Sequence, residues 1–121
     1  MVASCDPSVH DDPGDLIQLS HDILPDGLAM IAISGELDLA TADWTVRYVS
    51  DVIDRHDGPV SADLSGLRFC DACGLGALIR IARYAQQSGR WVSLLRPPEA
   101  LIRIMRITGA DSWLLVPAQA G

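Results

Sequence analysis

Lysine is absent from this chain of 121 residues, and all nine of its basic residues are arginine. An arginine-only set reads as the codon usage of a GC-rich genome and carries no chemistry of its own. The arginines form no basic stripe of the kind that neutralises phosphates, which excludes a nucleic-acid binder. Long apolar runs are missing too, so no segment spans a membrane. Met1 to Asp12 has neither a basic n-region nor an apolar h-region, so no signal peptide is expected and a cytoplasmic address follows. In that compartment Cys5, Cys70 and Cys73 should be reduced thiols, and their odd number speaks against a disulfide framework. Histidine is scarce: His10 lies in the N-terminal tail, His21 in a first strand and His56 beside a helix stop, with no two placed to work together. Phosphate-cradling glycine loops, a nucleophile elbow and His/Cys metal spacing are also missing. The expectation is therefore a chain that is not an enzyme and holds no metal or cofactor.

What is present is a core. Hydrophobic residues make up 49% of the chain, enough to exclude disorder and to build one domain around a single core. The net charge of −7 is concentrated at the start, where residues 1–26 hold six aspartates and no arginine. Residues 1–14, with Pro7, Pro13 and Gly14 among aspartates, are expected to be an acidic, solvated tail. A single domain is expected over 15–116, and 117–121 should fray.

Within that domain, Asp15 to Ile23 alternates weakly, with Ile17, Leu19 and Ile23 on one side, and predicts a first strand. Pro25-Asp26-Gly27 has turn chemistry, and the apolar run Leu28 to Ser34 predicts a hairpin partner. Gly35 to Asp38 should end that strand. Thr41 is placed to cap a helix with apolar positions Trp44, Tyr48, Val49, Val52 and Ile53, stopped by Asp57-Gly58-Pro59. A buried strand ending at Asp63-Leu64-Ser65 follows, then a helix marked by Leu75, Leu78, Ile79 and Ala82 and stopped at Ser88-Gly89. Trp91 to Leu95 predicts another buried strand. Pro97-Pro98 opens a third helix, with Leu101, Ile104, Met105 and Thr108 on one face, which Gly109 ends. Ser112 to Val116 predicts a last strand. The predicted order is β-β-α-β-α-β-α-β, an α/β domain with a mixed, mostly parallel sheet whose first strand is antiparallel.

The stretch most suggestive of function is the junction Phe69-Cys70-Asp71-Ala72-Cys73-Gly74. A strand passing directly into a helix leaves backbone N–H groups free at the helix start. Asp71 is the natural N-cap, accepting from the amides of Cys73 or Gly74. Cys70-Asp-Ala-Cys73 is a C-x-x-C pair. The helix start would lower the pKa of Cys73 and Asp71 would raise it, so inert packing is favoured over redox chemistry. Gly74-Leu-Gly76 is too short for a dinucleotide fingerprint, and Gly76 is expected to allow close packing of helix on sheet.

Three motifs, in order, carry a resemblance: G-E-L-D at 35–38, D-L-S-G-L-R-F-C-D-A-C-G-L-G-A-L at 63–78 and I-T-G-A-D-S-W-L at 107–114. Together they resemble the STAS-domain family of anti-sigma factor antagonists, over about residues 15–116. The resemblance implies a sheet with helices largely on one face. It further implies partner switching, in which the antagonist binds an anti-sigma factor, often a serine kinase, and frees a sigma factor for transcription. In the family that kinase phosphorylates a serine directly after the motif's aspartate. Asp71 matches the aspartate and Gly74-Leu75-Gly76 the helix start, but Ala72 stands at the phosphoacceptor position and has no hydroxyl. The implied partner surface comprises Glu36 and Asp38, then Asp71, Ala72, Cys73, Gly74, Leu75 and Gly76, then Arg80 and Arg83 on the second helix. Two further readings stay open: a STAS subunit of a lipid-transport ATPase or stressosome-like complex, and a thiol redox sensor using Cys70 and Cys73.

Overall fold

In the computed structural model, residues 16–110 and residue 114 are described. The tail expected at 1–14, the fraying expected at 117–121 and the last strand expected at Ser112 to Val116 lie outside them, apart from Leu114, which is buried.

The hairpin forms as the turn chemistry dictates. Strand β1 (Ile17–Ile23) runs antiparallel to β2 (Ala29–Leu37), with Ile17 opposite Gly35 and Ile23 opposite Ala29. β2 is the centre of the sheet, and its nine residues alternate strictly between buried and half-buried. Ala29, Ile31, Ile33 and Leu37 point into the core, each at most 1% exposed. Burying a side chain of the size of isoleucine or leucine contributes roughly 1.5–3 kcal/mol, so this row dominates the packing. Met30, Ala32, Ser34 and Glu36 occupy the opposite, partly open face.

Along the other edge of β2 lie two short parallel strands, end to end. β3 (Val60–Asp63) pairs with Ala29 to Ala32, and β4 (Leu67–Cys70) pairs with Gly35 to Leu37. β5 (Val92–Leu95) extends the sheet beyond β3. Helices α1 (Ala42–Arg55) and α2 (Ala72–Gln86) pack against each other and against the sheet, and α3 (Glu99–Thr108) packs against α2. Their inward stripes follow helical spacing: Thr45, Val49, Val52 and Ile53 on α1, Leu75, Leu78, Ile81 and Ala85 on α2, Leu101 and Met105 on α3. Gly109 ends α3 in the left-handed conformation, at φ 77°.

Three details differ from the sequence expectation. The described order is β-β-α-β-β-α-β-α, because β4 stands where a direct strand-to-helix junction was expected. The cause is Ser65-Gly66: the chain turns there, with Leu67 N donating to Leu64 O at 3.0 Å, and starts a new strand beside the end of β2. That signal was legible as a turn dipeptide. Second, β2 does not stop at Ser34 but runs to Leu37, because β4 supplies pairing partners for Glu36 and Leu37. Third, Thr41 occupies the N-cap position of α1 without making a side-chain cap. Its hydroxyl instead donates to Glu36 O at 2.8 Å and accepts from Asp38 N at 3.0 Å, binding the loop and not the helix.

Candidate functional site

The C-terminal ends of β2 and β4 meet at the start of α2. Cys70 closes β4 opposite Leu37, Asp71 N donates to Leu37 O at 3.3 Å, and α2 begins at once. Asp71 is the N-cap foreseen from the sequence: its Oδ1 accepts from Gly74 N at 2.9 Å. This satisfies one of the orphan donors of the helix and places the carboxylate against the positive end of its dipole.

Gly74 makes the junction possible. It is buried, and a Cβ on it would come within 2.2 Å of Leu37 O and 2.8 Å of Cys70 Sγ. Only a bare Cα lets α2 sit so close to the end of β2. The close-packing role expected of Gly76 therefore belongs to Gly74; a Cβ on Gly76 would meet nothing within 4 Å.

Ala72 and Cys73 are exposed on the first turn. Leu75 is buried in the core at 4% exposure, yet also walls a groove. That groove runs between α2 and α3, lined by Ala72, Leu75, Gly76, Ile79 and Arg83 on one side and Ile104 and Thr108 on the other. Ala72 is thus part of an apolar groove that starts at the helix cap. Ile107, near the end of α3, is 78% exposed.

The remaining expected residues divide. Arg83 is exposed at the groove, whereas Arg80 turns towards α1 and forms an ion pair with Asp43 at 2.9 Å. Asp38 organises the loop before α1: its Oδ1 accepts from Ala40 N at 3.0 Å and its carbonyl accepts from Ala42 N at 2.8 Å. Glu36 lies on the open face of the sheet beside Phe69, its partner in β4. Two exposed apolar residues at this end of the molecule, Phe69 at 52% and Leu39 at 78%, were not part of the implied partner surface. Their signal was an apolar residue at a strand position facing away from the core, and another in a loop.

The two thiols have unlike surroundings. Cys70 is half-buried, and burial first, then the Asp71 carboxylate, pushes its thiol up to about 12. At neutral pH it stays protonated, which removes the thiolate a redox pair would need from it. Cys73 is exposed. Among the described residues, no group of three or more His, Cys, Asp or Glu side chains could hold a metal ion, and no helix is long and apolar enough to cross a membrane.

A sheet flanked by helices, with a capped helix opening beside the central strand, defines a class of small α/β domain. The family model described as "Mlab, STAS domain" matches residues 24–117, and the chain belongs to the STAS-domain family. Solved structures share the fold. TM1081 of Thermotoga maritima, assigned as an anti-sigma factor antagonist, superposes with a TM-score of 0.73 at 20% identity, over 84% of this chain and 87% of that one. An anti-sigma factor antagonist from Mycobacterium paratuberculosis gives 0.72 at 22% identity, over 86% and 87%. The unphosphorylated antagonist SpoIIAA gives 0.66 at 18% identity, over 84% and 90%. No curated protein matches the sequence.

Proposed function

We propose that this domain is an anti-sigma factor antagonist that docks an anti-sigma factor through the start of α2 and the adjoining α2–α3 groove. The observation that carries the reading is the place of Ala72. It is exposed beside the Asp71 cap and also lines an apolar groove, so the helix start and the groove form one surface. The likeness in fold to anti-sigma factor antagonists supports the same reading. Binding of this kind needs no catalysis: apolar side chains fill the groove while the rim fixes register. The partner, of the serine-kinase type or another, is a protein; neither nucleic acid nor membrane takes part.

Without a hydroxyl at position 72, the surface is not switched off by phosphate there. A cognate kinase with ATP should leave the junction unmodified, and Ala72→Ser should create a substrate. Phosphate on wild-type residues 63–76 would refute this. The binding test is affinity capture from the native host with identification by mass spectrometry, followed by calorimetric titration of the captured protein. Ala72→Glu puts a second carboxylate beside Asp71 at the mouth of an apolar groove and should weaken binding by about 1–3 kcal/mol without unfolding the domain. Unchanged affinity would move the interface elsewhere.

The missing hydroxyl also favours a second reading, a STAS subunit of a lipid-transport ATPase, where the surface would stay permanently engaged. Capture of a transport ATPase in place of an anti-sigma factor would decide for it.

A further inference from the structure

Sequence spacing gives no reason to join His21 and His56, but the fold joins them. Because β1 runs antiparallel to β2, His21 is placed opposite Ile31 and next to the C-terminal half of α1. There its ring lies 6.2 Å from the ring of His56, centre to centre, with the planes tilted by 58°. A 2.8 Å hydrogen bond joins His21 Nδ1 to the Tyr48 hydroxyl. Burial, and then the Asp51 carboxylate, raises the pKa of that phenol above its ordinary value, so it stays a neutral partner.

We propose that His21 and His56 form a two-imidazole site for a borderline divalent transition ion, Zn²⁺ or Ni²⁺, with water in the remaining positions. Two imidazoles that bind one ion at ~2.0–2.1 Å have ring centres roughly 4.5–5 Å apart, so the rings must approach by roughly 1–2 Å through side-chain rotation. In the tautomer where His21 Nδ1–H donates to the Tyr48 hydroxyl, this bond does for His21 what outer-shell partners do for metal-binding histidines, and Nε2 is the unprotonated nitrogen. Imidazole donors select zinc, nickel and copper and reject magnesium and calcium, which prefer oxygen. The charged groups named around the pair carry an acidic excess, one arginine against three aspartates, which suits a cation. Arg55 is held by Asp51 at 3.0 Å, while Asp22 and Asp57 adjoin the two histidines in sequence. An ion here would tie β1 to the end of α1. The site lies at the opposite end of the strands from Ala72, so it stands or falls independently of the partner surface.

The test is a calorimetric titration of the full chain with Ni²⁺ alone, beside Mg²⁺ as control, with melting curves before and after addition of EDTA. One ion should bind per chain, with a rise in melting temperature that EDTA reverses, and Mg²⁺ should do nothing. His21→Asn and His56→Asn should each weaken binding by at least about 10-fold, and the double variant no further, since either loss breaks the chelate. Tyr48→Phe should cost about 10-fold through the freed ring. In an NMR titration, the His21 and His56 ring signals should broaden before that of His10. Wild-type affinity in the double variant, purely additive losses, or earlier broadening of His10 would each overturn the proposal.

Discussion

The two ends of the parallel strands are finished by different means. At the N-terminal end, side chains close the structure. Arg90, just before β5, reaches back to the end of α1 and donates to three carbonyls: Ile53 O at 2.8 Å, Gly58 O at 3.2 Å and His56 O. Ile53 O and His56 O belong to the last turn and C-cap of α1, where a guanidinium suits the negative end of the dipole, and Gly58 O lies in the loop that follows. At the C-terminal end the chain caps itself through Asp71 and Gly74, and apolar surface stays exposed at Leu39, Phe69 and Ile107. Both ends leave some apolar surface in water, Ile23, Leu24 and Trp91 at the first and Leu39, Phe69 and Ile107 at the second. They differ in how the backbone is closed: an arginine just before β5 ties the end of α1, whereas α2 is capped by its own preceding residue beside an apolar groove.

The sharpest way to break this contrast is at the glycines of α2. Gly74→Ala drives a Cβ against the backbone oxygen of Leu37, an atom that cannot swing aside. A loss of about 3 kcal/mol or more is expected in chemical denaturation. Gly76→Ala, two residues on, meets open space and should instead stabilise by about 0.5–1 kcal/mol through helix propensity. Equal effects at the two positions would mean that α2 is not seated by Gly74.

Next in size is the clamp at the opposite end. Arg90→Met keeps the aliphatic stem but removes every donor, so that Ile53 O keeps only the His56 N–H at 3.4 Å and the carbonyls of His56 and Gly58 lose the guanidinium. About 2–3 kcal/mol should be lost, with partner affinity unchanged because the clamp is remote from α2's first turn. If affinity fell along with stability, the two ends would be coupled and the contrast would fail.

A chemical probe then separates the thiols at the junction. Raising the Cys70 thiol to about 12 leaves roughly a thousandfold less thiolate than an ordinary cysteine has near neutral pH. Alkylation at pH 8, mapped by mass spectrometry, should therefore mark exposed Cys73 well before Cys70. If Cys70 is labelled as fast, the junction opens in solution and the redox reading revives.

Much of this was legible in the sequence because local chemistry and fold agree. The Pro25-Asp26-Gly27 turn, the Asp71 cap and the Gly109 stop all occur where their residue types demand. What was not legible depends on long-range pairing. The extent of β2 to Leu37 required β4 beside it, and β4 itself was hidden in a stretch too short to show periodicity. Thr41 looks like a helix cap from its spacing, but the carbonyl of Glu36 at the end of β2 competes for the same hydroxyl and wins. Arg90 and the His21–His56 pair reach partners more than thirty residues away, and no local pattern announces such contacts.

The smallest expected effect tests the polar rim between β3 and β5. Asp63, at the end of β3, is ion-paired with Arg96, whose backbone is held at φ 50°. Burial raises the pKa of Asp63, but the Ser65 N–H at 3.0 Å, the Arg96 guanidinium and the Ser65 hydroxyl together outweigh it and hold the carboxyl below its ordinary value. A carboxyl depressed in the folded state stabilises the fold above its unfolded value of about 3.9, and loses that contribution as pH falls through the lower folded value. Asp63→Asn keeps an oxygen for the Ser65 N–H and removes only the charge. It should therefore cost about 1 kcal/mol or less at pH 7, since Arg96 is largely solvated. The difference from wild type should shrink steadily below about pH 4. A gap that stays constant down to pH 3 would assign the loss to the geometry of the Ser65 turn and leave the ion pair with no part in stability.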